Sequence, residues 1–147
     1  MSQAEDAGGL SFDRYQSRRM ILVIEGHDDV RAALCALLRA EGYLVAQASS
    51  GEKALAVLGL FASVGLILLA WKWPGASGAE FLAELRRRPD LARIPVIALT
   101  TGAEGPPAGV VGYVRKPFLA ERVLALARHY CGSPNGWGDD DTGEAMA

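Results

Sequence analysis

Apolar and polar positions follow two rhythms along this chain. Short uninterrupted apolar runs occupy 20–24, 43–46, 64–70, 94–100 and 110–114. Runs of that length, closed by turn residues, predict strands buried on both faces. Between them the spacing becomes helical. Val30, Ala33, Leu34, Leu37 and Leu38 form one stripe, with Arg31, Arg39 and Glu41 outside it and Gly42 as its stop. Ala54, Leu55, Val57 and Leu58 form a second, Phe81, Leu82 and Leu85 a third. Val123, Leu124, Ala127 and Tyr130 form the last, on a helix from about Leu119. Ser49 with Glu52 and Ser77 with Glu80 have capping-box spacing, and Asp28 or Asp29 suits a helix N-terminus.

Strand and helix alternate through five strands, which predicts a single doubly wound α/β sheet of parallel strands. In such a sheet the functional crevice lies beyond the carboxyl ends of the strands. The central strand ends there at Ala70, just before the turn Trp71-Lys72-Trp73-Pro74-Gly75, so an inert methyl group occupies the mouth.

Composition fits that frame and removes several functions. The chain has 147 residues, 50% of them hydrophobic, enough for one domain with a core. A net charge of −2 leaves no footprint for nucleic acid or an anionic membrane. No apolar run is long enough to span a bilayer, and the polar, acidic start is not a signal peptide; a cytoplasmic location is expected. Residues 1–19 read as a loose arm, 20–131 as the domain, and the Gly/Asp-rich 132–147 as a disordered tail. Cys35 and Cys131 lack metal-type spacing, so buried or half-buried thiols are the simpler reading.

Several short motifs, all in register, resemble the receiver domain of bacterial two-component response regulators over about 20–131. They are Ile21-Leu22-Val23-Ile24 before an acidic loop, Glu41-Gly42-Tyr43-Leu44-Val45, and Ala48-Ser49-Ser50-Gly51-Glu52-Lys53-Ala54-Leu55. Pro74 with Ser77-Gly78-Ala79-Glu80-Phe81-Leu82, Ile94-Pro95-Val96-Ile97-Ala98-Leu99-Thr100 and Tyr113-Val114-Arg115-Lys116-Pro117-Phe118 continue the series. The resemblance implies a flavodoxin-like (CheY-like) five-stranded parallel sheet of strand order 2-1-3-4-5.

It also implies a phosphorylation pocket, and here the chain departs from the pattern. The family phosphorylates an aspartate ending the third strand; Ala70 takes that position. Two acids after the first strand hold Mg²⁺ in the family; Glu25 and Gly26 match them. Thr100 matches the hydroxyl residue that contacts the phosphoryl group, Lys116 its lysine, and Tyr113 the aromatic that swings on phosphorylation. Acyl-phosphate formation needs a carboxylate nucleophile, and Mg²⁺ is ordinarily held by one or two carboxylates with water. No metal, cofactor or enzymatic activity is therefore expected. Lys116, without its aspartate, is expected to pair with Glu25. Only fifteen residues separate Thr100 from Lys116, and Pro106-Pro107 interrupts them, so the family's fourth helix is expected to be missing or much reduced.

The resulting expectation is a stand-alone pseudo-receiver, a phosphorylation-independent protein-interaction module of bacterial signalling, binding a protein partner or a second copy. With the fourth helix gone, apolar side chains of the fourth strand together with Val110, Val111 and Tyr113 are expected near the surface as the docking patch. Trp71 and Trp73 at the mouth offer an alternative contact surface. Thr100 could equally be structural, His27 could start a helix or join Asp28 on a metal, and Arg86-Arg87-Arg88 suit a solvated helix end more than a nucleic-acid contact. Two rival readings remain: a flavodoxin-like protein binding FMN or another phosphorylated ligand, disfavoured by the acidic first loop, and a receiver phosphorylated at a substitute acid such as Asp28, Asp29 or Glu25.

Overall fold

The structure, a computed structural model, describes residues 20–60, 63–73, 76–101 and 107–134. Five parallel strands, β1 (Met20–Ile24), β2 (Leu44–Ala48), β3 (Val64–Ala70), β4 (Val96–Thr100) and β5 (Gly112–Arg115), form one sheet in the order β2-β1-β3-β4-β5. Register runs Leu22 opposite Ile67 and Ala46, and Leu69 opposite Ala98. Strand order and pairing are those expected of a flavodoxin-like sheet.

The central strands β1, β3 and β4 are apolar up to their carboxyl ends because both of their faces are covered. Ile21, Val23, Leu66, Leu68, Ile97 and Leu99 point into a core beneath helices α1 (Asp28–Ala40) and α4 (Ala120–Cys131). Their neighbours Leu22, Ile24, Ile67, Leu69 and Val96 point into a second core beneath α2 (Gly51–Leu60) and α3 (Gly78–Arg86). Period-two alternation thus sends consecutive residues to opposite cores, and neither face can be polar.

Helix ends follow local chemistry, with one adjustment. Ser77 Oγ accepts from the Glu80 N–H, as expected of a cap. At α2 the cap is Ser50 rather than Ser49: its Oγ accepts from the Lys53 N–H at 3.2 Å, while Ser49 Oγ accepts from the Lys53 ammonium. The helix begins at Gly51, which puts Lys53, not Glu52, at the third helical position. Beyond α1, Gly42 adopts φ +101°, a conformation that favours glycine.

Between β4 and β5 the described residues form no helix: a turn at Ala108 and Gly109 leads straight to Val110 and β5. The described chain has four helices, as the short interval predicts. The expected loss of cover over β4, however, is corrected. Val96, Ile97, Ala98 and Leu99 are all buried. Val110, expected in a surface patch, packs instead onto the α2/α3-side core with Leu91 and Ile94. Arg86 holds this replacement cover in place. It is not a solvated helix end: its guanidinium is part-buried and donates to the carbonyls of Ala92 (2.8 Å), Ile94 (3.1 Å) and Gly109 (3.2 Å). Three carbonyls from two loops meet on one planar cation, which satisfies them where a helix would otherwise have packed. Arg87 and Arg88 do face outward and pair with Glu84.

Candidate functional site

The carboxyl ends of β1, β3, β4 and β5 converge on Glu25, Ala70, Thr100 and Lys116. Glu25 follows β1 directly, and its N–H donates to Ala48 O at the end of β2 (3.1 Å). Its side chain is 0% exposed. A carboxylate so placed must be fully partnered, and it is. Lys116 Nζ donates to Oε1 at 2.6 Å, joining two elements 91 residues apart. Oε2 accepts the His27 N–H at 3.0 Å and lies 3.1 Å from His27 Nδ1. Burial by itself would push the Glu25 carboxyl up. The hydrogen bonds from Lys116 and His27, with the Lys116 charge, outweigh it and hold the group below the usual glutamate range.

Lys116 is positioned by its own backbone, whose N–H donates to Thr100 O at 2.7 Å, and it precedes a cis peptide to Pro117. The ion pair expected from the sequence is therefore present, and it spans the place where the third strand ends. Ala70 there is buried and contributes only a methyl group. Thr100 is 8% exposed, and its Oγ1 has no hydrogen-bond partner among the described residues, so neither Lys116 nor Glu25 engages it. Gly26 is exposed and offers no donor atom from a side chain.

The donor set does not fit Mg²⁺. That ion requires near-octahedral oxygen coordination, whereas both Glu25 oxygens face protein donors. Asp28 Oδ1 is 2.7 Å from Arg31 Nη2. Among the described residues no group of three or more His, Cys, Asp or Glu could hold a metal ion.

Two residues at the mouth have partners that the sequence reading did not assign to them. His27 stands at the N-cap position of α1 without capping it through its side chain; its partner is Glu25, two residues back. That short spacing beside a buried acid was the available signal. Arg31, placed outside the helical stripe, is half-buried: it donates to Glu25 O (2.8 Å), Gln47 Oε1 (2.9 Å) and Asp28. Only the meeting of β1 and β2 creates that role. Ala33, assigned to the inner stripe, is exposed, and Cys35 is buried in its place.

Trp71 closes the site from the β3 side. Its N–H donates to Leu99 O (2.9 Å), its carbonyl accepts from Gly78 N–H (2.8 Å), and its ring packs on the α2/α3-side core. A two-strand antiparallel ladder, Lys72–Trp73 with Ala76–Ser77, follows it. The Trp73 side chain lies outside the described part. On the far edge, Val111 is 48% exposed, Leu119 is 75% exposed, and half-buried Tyr113 lies under the Arg115 guanidinium at 5.5 Å from its ring centroid. Of the three residues expected to form a patch, Val111 and Tyr113 reach this edge and Val110 does not. The arm 1–19 and the segment 135–147 lie outside the described residues.

Comparison with known proteins bears on the family and the fold. The profile of the response regulator receiver domain matches residues 21–128. The phosphate regulon transcriptional regulatory protein PhoB of Escherichia coli is 33% identical over 113 residues, 73% of this chain and 49% of PhoB. Chemotaxis protein CheY of Pseudomonas aeruginosa is 32% identical over 108 residues, 69% of this chain and 86% of CheY. The chain thus spans about half the length of the larger regulator. Among solved structures, the receiver domain of sensor histidine kinase PA1611 from Pseudomonas aeruginosa PAO1 superposes with a TM-score of 0.69 at 26% identity. It covers 78% of this chain and 98% of that one, and it holds a magnesium ion in its active-site cleft. Vibrio cholerae CheY4 gives a TM-score of 0.70 at 24% identity, over 76% of this chain and 98% of its own.

Proposed function

Since the chain belongs to the response regulator receiver domain family of two-component signalling, we propose that it is a receiver without a phosphorylation step. In this reading it works in the cytoplasm as a protein-interaction module whose shape is constitutive. The observation that carries the reading is the Lys116–Glu25 pair beside Ala70. In the family pattern this lysine pairs with the phosphorylated aspartate. Here it is already neutralised at 2.6 Å by a buried carboxylate, and no carboxylate stands at position 70 to form the acyl phosphate. No described helix is long and apolar enough to cross a membrane.

The test is incubation with acetyl phosphate and millimolar Mg²⁺, followed by intact-mass measurement and by NMR of Glu25 and Thr100. The expected result is no added phosphoryl mass and no saturable shifts in that pocket. Ala70→Asp by itself should also stay unphosphorylated, because Gly26 leaves the metal under-coordinated and Lys116 remains held by Glu25. Efficient labelling of Ala70→Asp, or labelling of the unaltered protein at Asp28, Asp29 or Glu25, would overturn the reading.

The partner is assigned to the β5 edge, where exposed Val111 and Leu119 flank Tyr113. Tyr113→Ala and Val111→Asp remove contact area without opening a core, so binding of the protein partner, or of a second copy, should fall while the thermal unfolding midpoint changes little. Unchanged binding in both, with loss on altering Trp71, would move the contact surface to the strand mouth.

A further inference from the structure

A groove of about 400 Å³ runs between α1 and the β5–α4 connection. Val30, Ala33 and Leu37 form one wall, Pro117 and Phe118 the other, and the charged lining is Asp29 and Lys116. Leu119 follows Phe118 directly but does not turn into this groove. It is 75% exposed and lines a second hollow on the β5 side, together with Tyr113 and Arg122. Leu119 therefore stands on the lip between the two hollows. An exposed leucine beside an open apolar groove gives one surface both a knob and a hole.

The charges around knob and hole are complementary. At the groove, Lys116 is engaged by Glu25 at 2.6 Å, and His27 also lies on Glu25. Asp28 is held by Arg31 at 2.7 Å. Asp29 is exposed and has no ion-pair partner among the described residues, so the charge the groove presents is negative. Beside Leu119 the sign is opposite, because Arg115 and Arg122 line the same hollow. Arg122 is exposed and donates to the neutral Tyr113 carbonyl at 3.3 Å, which leaves its charge in place. Glu121, in the first turn of α4, and Arg39 and Glu41, at the far end of α1, line neither hollow.

We propose that two copies of this chain dock about a two-fold axis, each seating Leu119 in the α1 groove of the other. Arg122 of each copy then meets Asp29 of the other. The separation of knob from hole is the same in both copies, so one rotation makes both contacts at once. Two apolar anchors with ion pairs at their margin follow the usual division of an interface into apolar centre and polar rim. The inference rests on reading the β5 side as the docking side. It names the partner there, a second copy, and adds the α1 groove as the surface that side meets.

The test is sedimentation equilibrium of the full chain up to millimolar concentration, where a reversible dimer is expected. Leu119→Asp, which suits the N-cap position that Leu119 occupies in α4, should raise the dimer dissociation constant about tenfold or more. Ala33→Glu, at an exposed site on the groove wall, should do the same. Asp29→Arg and Arg122→Asp each set like charges against each other and should each weaken self-association. Mixed in equal amounts, these two variants should form a heterodimer about as tight as the unaltered dimer, since opposite charges meet again at both contacts. An unaltered chain that stays monomeric throughout would overturn the proposal, as would failure of the mixture to associate. A dimer that survives Leu119→Asp and both charge reversals but is lost in Val111→Asp would overturn it while leaving the β5 edge as the docking side. Phosphodonor labelling reports separately on the absence of a phosphorylation step and should not change in any of these variants.

Discussion

Lys116→Ala is expected to lower the unfolding free energy by about 3–5 kcal/mol, the scale for leaving a buried charge without its partner. The reason lies with Glu25 rather than with the lysine. Glu25 is 0% exposed, so its carboxylate cannot turn to water, and His27 alone remains to compensate it. Lys116→Met removes the same charge but keeps the packing stem, so its loss should be smaller than that of alanine. Both deficits should depend on pH with a definite sign. Glu25 is held below the ordinary glutamate range, so its contribution is fully present above that range and fades as pH falls through its folded value. In the variants this contribution is absent. Denaturant unfolding curves of wild type and variant should therefore lie far apart near neutrality and converge in acid. A gap that persists unchanged in acid would mean that the loss is one of packing, not of charge.

Two glycines should respond to alanine with opposite signs. Gly78 opens α3 directly under Trp71: a Cβ there would stand 2.6 Å from Trp71 Cε3 and 2.9 Å from Ala70 O. One of these neighbours is a backbone carbonyl at the end of the central strand and cannot yield cheaply. Overpacking of this kind costs about 1–3 kcal/mol, against at most about 1 kcal/mol gained from helix propensity. The clash wins, and Gly78→Ala should be destabilising and should displace Trp71, read as a change in tryptophan fluorescence. Gly59, in α2, has nothing within 4 Å of its would-be Cβ. With propensity alone at work, Gly59→Ala should stabilise by about 0.5–1 kcal/mol. Equal signs for the two would show that helix propensity, not the approach of Trp71, governs Gly78.

The sheet and its two cores follow from patterns a few residues long. An uninterrupted apolar run such as Leu66–Leu69 can be stable only with both faces covered, and the helical stripes between the runs supply the covers. Gly42, Ser77 and the proline-broken interval before β5 likewise act through local backbone chemistry, so they were readable without coordinates. The absence of a carboxylate at position 70 is a property of the sequence itself, and the Lys116–Glu25 pairing came from family resemblance rather than from spacing.

Tertiary structure decided the remainder, because the groups concerned are brought together only by folding. Arg31 reads as a surface residue until β2 places Gln47 beside it and β1 turns the Glu25 carbonyl toward it. Arg86 reads as a solvated helix end until two loops present three carbonyls to it. That cluster, with Val110 packed back onto the core, is why β4 stays covered although no described helix follows it. Hydrophobic periodicity reports which face of an element is buried. It carries no information about which distant carbonyls and carboxylates will need a donor, and those needs set the positions of Arg31, Arg86 and Lys116.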